Sequence, residues 1–176
     1  MKRFHSDALT IQVDTREHQK EWERIQKQFD SIGVKYFRSK LYVGDYMSLD
    51  NPRLIIDRKK DLLEVITDVT QQHERFKNEL LRAEQAGIQL ILLIEDQHIH
   101  TLEDVYFWEN PRSKIMDIQI IDGKPARVQK YPKATQGPPL YRSLSTIRQR
   151  YGVEYEFCDK RCTGKRIIEL LGGDDG

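Results

Sequence analysis

The sequence predicts an α/β protein in which short strands alternate with amphipathic helices. Two patterns carry this prediction. Within residues 17–31, the apolar side chains of Trp22, Ile25 and Phe29 recur at the three-to-four spacing of one helical face. Residues 88–94 form a short apolar run that follows a glycine, which is typical of a buried strand.

The same criteria assign the remaining elements in order along the chain. Further strands are expected at residues 11–13, 34–42, 46–49, 53–57 and 153–157. Further helices are expected at residues 62–67, 71–85, 140–151 and 163–171. The strands between residues 34 and 57 are expected to form a short meander with a turn at Asp50-Asn51-Pro52.

The whole chain, residues 1–176, is expected to form one domain whose core comprises about residues 9–96 and 137–172. Residues 97–136 have a weak apolar pattern and contain several proline and glycine residues. This composition indicates an insertion or a flap outside the core.

Two motifs place charged residues at the ends of adjoining apolar segments. Val43-Gly44-Asp45-Tyr46 holds one carboxylate, and Leu54-Ile55-Ile56 runs directly into Asp57-Arg58-Lys59. Because strand side chains alternate, a strand would deliver Asp57 and Lys59 to one face and Arg58 to the other. A turn residue beside a solvated charge cluster is the alternative, since 32% of the residues are charged.

The combination of two carboxylates and a lysine fits metal-assisted cleavage of a phosphodiester. Attack by water is helped by a hard cation, and Mg²⁺ prefers carboxylate and water oxygens. Asp45 and Asp57 are therefore candidate metal ligands. Lys59 could orient or deprotonate the attacking water, or offset charge that develops in the transition state. The pattern predicts a nuclease.

A further acid, Asp14, follows the alternating apolar segment at residues 11–13. Two interpretations of Asp14 stay open, because it could cap the following helix or join the acidic site. Glu17 could likewise be a first-turn acid that the helix dipole favours.

The order of these motifs resembles the nuclease domain of the XPF, Mus and Hef group. Members of that group carry an Asp-x-Arg-Glu segment, then Gly-Asp-Tyr, then Glu-Arg-Lys. The corresponding segments here are Asp14-Thr15-Arg16-Glu17, Gly44-Asp45-Tyr46 and Asp57-Arg58-Lys59. The similarity continues through Asp61-Leu62-Leu63 and His73-Glu74-Arg75-Phe76, so it covers roughly the first half of the chain.

The resemblance implies a restriction-endonuclease-like, three-layer fold with a central mixed β-sheet flanked by helices. It implies that Mg²⁺ or Mn²⁺ is bound by Asp45, Asp57 and the backbone carbonyl of Arg58. Lys59 would then assist the attack of water, and Asp14 would complete the acidic cluster as a further catalytic residue.

The resemblance also implies contacts with DNA and the form of the products. Arg16, Arg58 and Arg75 are the expected substrate-binding residues, and cleavage is expected to leave a 5′-phosphate and a 3′-hydroxyl. Two features depart from the group's pattern. Asp57 stands where the group has glutamate, and the turn near Lys60 must be tighter because the gap before the next helix is shorter.

The charge balance excludes a global basic field, because 29 bases face 28 acids and leave a net charge of +1. DNA binding would therefore depend on local patches. Candidates lie in residues 35–40, in residues 142–166, and in the insertion at Lys124, Arg127, Lys130 and Lys133. For the insertion, a plain surface excursion is the alternative.

The expected partner is DNA, together with a second copy of the chain or a DNA-binding partner protein, as the resemblance implies. No segment is apolar for long enough to cross a bilayer, and residues 1–5 do not begin a secretory signal. The expected location is the cytoplasm of a bacterial or phage-infected cell, or the nucleus if the source is eukaryotic. The alternative function is a non-catalytic DNA-binding scaffold subunit with a nuclease-like fold.

Overall fold

The computed structural model describes residues 9–172, so residues 1–8 and 173–176 of the expected domain lie outside the described part. Its strands are β1 (Thr10–Val13), β2 (Lys35–Arg38), β3 (Tyr46–Ser48), β4 (Asn51–Lys59), β5 (Gln89–Glu95), β6 (Met116–Ile121), β7 (Lys124–Gln129) and β8 (Glu154–Cys158). Its helices are α1 (Gln19–Ile32), α2 (Leu62–Thr70), α3 (His73–Gln85), α4 (Gly137–Tyr151) and α5 (Thr163–Gly172). Two short 3₁₀ helices span Glu103–Phe107 and Pro111–Lys114.

Six strands form a mixed central sheet in the order β2-β1-β3-β4-β5-β8. Strand β3 is antiparallel to both β1 and β4, whereas the other pairs in this sheet are parallel. The expected meander is therefore correct only for the β3–β4 hairpin. Strand β2 pairs with β1 at the sheet edge, because the connection through α1 is a crossover that returns the chain parallel to β1.

Helices cover both faces of this sheet, which confirms the predicted three-layer α/β fold. On one face, α1 and α5 pack against Ile56 and Leu93. On the other face, α3 packs against Ile55 and Leu92, while α2 and α4 enclose Ile94. Neighbouring residues of β4 and β5 thus point into different layers, as strand geometry requires. Among residues 9–172, no helix has the length and apolar character needed to span a membrane.

The interval expected to be an insertion divides into two parts. Ile99, Leu102 and Val105 are buried and belong to the same core cluster as α2 and α4. Strands β6 and β7 instead form a separate two-stranded sheet with extensive solvent exposure. The first part of the interval is therefore core, and the projecting part is an ordered hairpin.

Gly44 brings the turn before β3 into close contact with β4. Its φ of +65° lies in the left-handed region, and a Cβ atom there would lie 2.5 Å from Cγ2 of Ile55 and 3.0 Å from the carbonyl oxygen of Ile56. The next residue, Asp45, donates its backbone N–H to the Ile56 carbonyl at 2.8 Å. The glycine thus allows Asp45 to lie against the end of β4.

Gly44→Ala is predicted to lower the free energy of unfolding by about 3 kcal/mol, because it adds a steric clash to the strain of a left-handed alanine. Gly87→Ala is a matched control, since Gly87 also has a φ of +65° but no described atom lies within 4 Å of its added Cβ. That control should lose only about 1 kcal/mol. Urea unfolding of both variants measures the difference, and equal losses would show that the close approach to β4 is unimportant.

Candidate active site

The end of β4 places three charged residues at the centre of the sheet. Asp57 and Lys59 point to one face, where their side chains meet with 3.0 Å between Oδ2 and Nζ. Arg58 points to the opposite face, as the alternation in the sequence predicts. The backbone N–H of Arg58 donates to Oδ2 of Asp45 at 2.8 Å, which fixes the second carboxylate beside the first.

A buried hydrogen-bond network joins the three motifs of the sequence. Glu17 accepts from Nη2 of Arg58 at 2.8 Å and from Nε of Arg58 at 3.1 Å. The hydroxyl of Tyr46 donates to the same carboxylate at 2.9 Å. Glu17 lies before the first residue of α1, and its carboxylate binds Arg58 and Tyr46. The alternative interpretation, a first-turn acid that the helix dipole favours, therefore does not describe Glu17.

The guanidinium group of Arg58, an expected substrate contact, is held by two acids. This group is buried between Glu17 and Glu95, with Nη1 lying 3.5 Å from Oε2 of Glu95. A DNA phosphate would have to displace these carboxylates to reach it. The backbone N–H of Arg58 contacts Asp45 directly, and the role of its carbonyl as a metal ligand stays a prediction.

Lys59 lies between two buried carboxylates. Its Nζ atom is 3.0 Å from Asp57 and 2.7 Å from Oδ2 of Asp68, a residue of α2. Burial alone would lower the pKa of Lys59, but the charges of Asp57 and Asp68 outweigh it and raise the pKa well above its usual range. Lys59 is therefore an ammonium ion at neutral pH. This favours the charge-stabilising role among those predicted and disfavours the role of base.

Asp68 was not predicted from the sequence, although a signal for it exists. Leu62, Val65 and Asp68 are the buried residues of α2 and recur at intervals of three. An acid at the third of these positions falls on an otherwise apolar helical face, where a carboxylate requires a partner. Lys59 is that partner.

Asp45 and Asp57 form a pair of like charges. Burial raises the pKa of Asp45 well above its usual range, and the charges of Asp57 and Glu17 raise it further. Oδ2 of Asp57 is also buried, and its charge partner in the described part of the chain is the Lys59 ammonium group at 3.0 Å. Asp57 shares the Lys59 ammonium group with Asp68, whereas Asp45 has no ion pair with a basic side chain among residues 9–172.

These observations fit a divalent cation at the carboxylate pair. Within residues 9–172, no group of three or more His, Cys, Asp or Glu side chains is arranged to hold a metal ion. Two carboxylates suffice for Mg²⁺, however, because this ion usually keeps several waters and also takes substrate phosphate oxygens. Asp45, Asp57 and the Arg58 carbonyl are the groups that would hold it.

Both carboxylate oxygens of Asp14 are occupied by hydrogen bonds that hold the surrounding backbone. Its two oxygens accept from the backbone N–H, Nε and Nη2 of Arg16 and from the backbone N–H of Leu41, at 2.7–2.9 Å. Burial would raise the pKa of Asp14, but these hydrogen bonds outweigh it and lower the pKa. A cation would have to break these hydrogen bonds to reach Asp14, and the catalytic role of this residue stays a prediction.

The carboxylate pair lies at the floor of an open cleft of about 760 Å³. Several basic side chains line this cleft beyond the buried ones. They are Arg16, Lys60, Arg75, Arg82 and Arg112. The predicted substrate contacts Arg16 and Arg75 are therefore placed at the cleft, and their side chains are 58% and 73% exposed.

Glu79, to which the sequence gave no role, also lines the cleft. It accepts from the backbone N–H of Gly44 at 3.2 Å. Burial raises the pKa of Glu79, and the charge of Asp57 raises it further. Glu79 thus holds the turn that carries Asp45 and adds to the negative potential at the cleft floor.

Comparisons with known proteins bear on the family and the fold of this chain. The model of the ERCC4 domain matches residues 13–168. XPF from Aeropyrum pernix is similar in structure, with a TM-score of 0.60, 16% sequence identity, and coverage of 92% of this chain and 63% of that chain. XPF from Aeropyrum pernix in complex with DNA gives a TM-score of 0.59 at 17% identity, with 93% and 63% covered. A comparison with curated protein sequences returns no match.

At this level of identity, the structural similarity establishes the fold. The chain spans less than two thirds of the length of the XPF chains that it matches. The ERCC4 domain model, in contrast, extends from the last residue of β1 into α5 and so includes the whole candidate site. The protein therefore belongs to the ERCC4-domain family.

Proposed function

We propose that this domain is a Mg²⁺- or Mn²⁺-dependent endonuclease that hydrolyses phosphodiester bonds in branched, flap or fork DNA. The observation that carries the proposal is the carboxylate pair of Asp45, which has no ion pair, and Asp57, which is paired with Lys59, at the floor of a cleft with a basic rim, within the described residues 9–172. The similarity to an XPF structure in complex with DNA supports DNA as the substrate.

The residues of the chain divide the chemistry among them. Asp45, Asp57 and the Arg58 carbonyl would hold the cation, which supplies Lewis acidity toward a phosphoryl oxygen and acidifies water. The Lys59 ammonium group stabilises negative charge as it develops on the phosphate. Arg16 and Arg75 bind the phosphodiester backbone from the rim, so that the scissile bond faces the carboxylates.

The proposal includes either self-association or a DNA-binding partner protein. The acids and bases of the chain nearly cancel, so long-range attraction to DNA is weak. A second copy would double the area of contact with the substrate. Light scattering on the purified chain, with and without DNA, measures this directly.

Asp45→Asn and Asp57→Asn are each predicted to lower cleavage of a DNA fork at least about 100-fold, because each removes a charged ligand. Both variants should also lose Mn²⁺ binding in calorimetry. Asp50→Asn is the matched control, since Asp50 is an exposed acid in the β3–β4 turn and should retain both properties. If the aspartate variants cleave like the wild type, the nuclease proposal fails. Binding of forks without cleavage by the wild-type chain would favour a scaffold.

Asp45→Asn is also predicted to raise the melting temperature at neutral pH when a chelator is present. The pKa of Asp45 is higher in the folded state than in the unfolded state, where it is about 4. The free energy of unfolding therefore falls as the pH rises from the unfolded pKa toward the folded pKa. Asparagine keeps an acceptor for the Arg58 N–H and removes the charge. The advantage should shrink as the pH falls through about 4 and vanish below it, where Asp45 of the wild type is protonated in both the folded and the unfolded state. A pH-independent difference in thermal melts would contradict this account.

Lys59→Met is predicted to lower the free energy of unfolding by about 3 kcal/mol, because it leaves Asp57 buried without a cation and leaves Asp68 with the exposed Arg75 at 3.9 Å alone. Cleavage should fall at least about tenfold for the same active fraction of protein. Lys60→Met is the neighbouring exposed control and should keep wild-type stability.

A second variant separates structure from catalysis at Lys59. Lys59→Met combined with Asp68→Leu removes a buried acid along with its partner and should recover much of the lost stability. Cleavage should stay low, because the charge near the phosphate is still missing. Recovery of cleavage together with stability would show that Lys59 has a structural role alone.

A further inference from the structure

The hairpin formed by β6 and β7, residues 116–129, is called the arm below. Its turn is the Asp122-Gly123 pair, with φ values of 50° and 73°, which is the left-handed geometry that a two-residue hairpin requires. The arm forms a sheet of its own, apart from the central sheet. An isolated two-stranded hairpin is marginally stable in water, so apolar residues on it need a reason.

One face of the arm is apolar and free of acids. The cross-strand pairs on this face are Met116 with Gln129, Ile118 with Arg127 and Ile120 with Pro125. The side chains of Ile118 and Ile120 are each 68% exposed. The opposite face carries Asp117, so the two faces differ in chemistry. Two neighbouring isoleucines this exposed indicate a binding surface.

The net charge of the arm and of the residues that join it to the domain indicates the kind of partner. Residues 111–133 contain six bases and two acids, a net charge of +4, whereas the whole chain carries +1. The rest of the chain is therefore at −3. Two copies of this segment would repel one another, but a polyanion would be attracted. The exposed apolar face thus belongs to a surface suited to nucleic acid.

The residues that join the arm to the domain lie next to the candidate active site. Arg112 lines the catalytic cleft, and its guanidinium group lies 5.6 Å from the centre of the Tyr131 ring. Nζ of Lys130 lies 5.7 Å from the centre of the same ring. The backbone N–H of Lys130 donates to the Ile115 carbonyl at 2.8 Å, which fixes where the arm leaves the domain. DNA in the cleft would therefore lie next to the arm.

We propose that the Ile118–Ile120 face of the arm packs against the exposed nucleobases where duplex DNA meets single strands. Arg127 and the basic residues where the arm joins the domain bind the flanking phosphates. Apolar side chains such as isoleucine are used in this way by proteins that wedge into base steps. A continuous duplex presents no open base face, so the arm would select a branch point. This inference rests on the proposed function, because it takes DNA as the substrate.

The test measures binding to a fluorescein-labelled fork and to a plain duplex of equal length, by anisotropy in EDTA so that no cleavage occurs. Ile118→Thr combined with Ile120→Thr keeps the β-branched shape and removes the apolar face. We expect fork binding to weaken about tenfold and duplex binding to change less than about twofold. Ile121→Thr, on the opposite face of β6, should change neither.

Arg127→Gln tests the phosphate contact on the same face. It should weaken fork and duplex binding alike and lower the slope of log affinity against log salt by about one. An unchanged slope would remove Arg127 from the proposal.

Three results would overturn the proposal. The first is an unchanged preference for forks in the double isoleucine variant. The second is a loss of dimer mass in that variant by light scattering, which would assign the apolar face to a second copy. The third is a wild-type chain that binds no fork. If the wild-type chain binds forks through the arm but shows no metal-dependent cleavage, the nuclease proposal is refuted and the proposal for the arm is not.

Discussion

The buried ion pair between Arg58 and Glu17 is the interaction on which the rest of the site depends. Glu17 lies before α1, Arg58 lies at the end of β4, and Tyr46 at the start of β3 donates to the same carboxylate. This pair therefore connects three segments that are distant in sequence. A buried pair of this kind contributes little net stability, but loss of one partner leaves an uncompensated charge. Its main effect is to fix the backbone of Arg58, whose N–H positions Asp45.

Fixing this backbone brings together charges that would otherwise separate. Asp45 reaches β4 through the close approach of Gly44, and Asp57 is held by the register of β4 with β5. Lys59 is retained on the same face by Asp68 from α2. Each of these positions is set by backbone pairing or by a buried contact, so little conformational freedom is lost when substrate binds.

Much of this arrangement could be predicted from the sequence, because it depends on local patterns. The alternation in β4 predicted that Arg58 would face away from Asp57 and Lys59, and the apolar spacing predicted the helices. Partners that depend on the tertiary fold could not be predicted in this way. Asp68 meets Lys59 only because α2 folds back over β4, and Arg58 is neutralised only because Glu17 and Glu95 converge on it. The pairing of β2 with β1 likewise depends on a crossover that no local pattern records.

The balance of buried charges explains why the proposed cation would act at Asp45 in particular. Asp14 is paired with Arg16, Glu17 with Arg58, and Asp57 and Asp68 share Lys59. Asp45 receives a hydrogen bond from a neutral backbone N–H and, among residues 9–172, no ion pair with a basic side chain. The pKa of Asp45 is raised because it is buried without such a partner, near the charges of Asp57 and Glu17. A divalent cation between Asp45 and Asp57 would supply the missing positive charge. Because Asp57 is one methylene shorter than the glutamate of related domains, that cation would have to lie closer to β4.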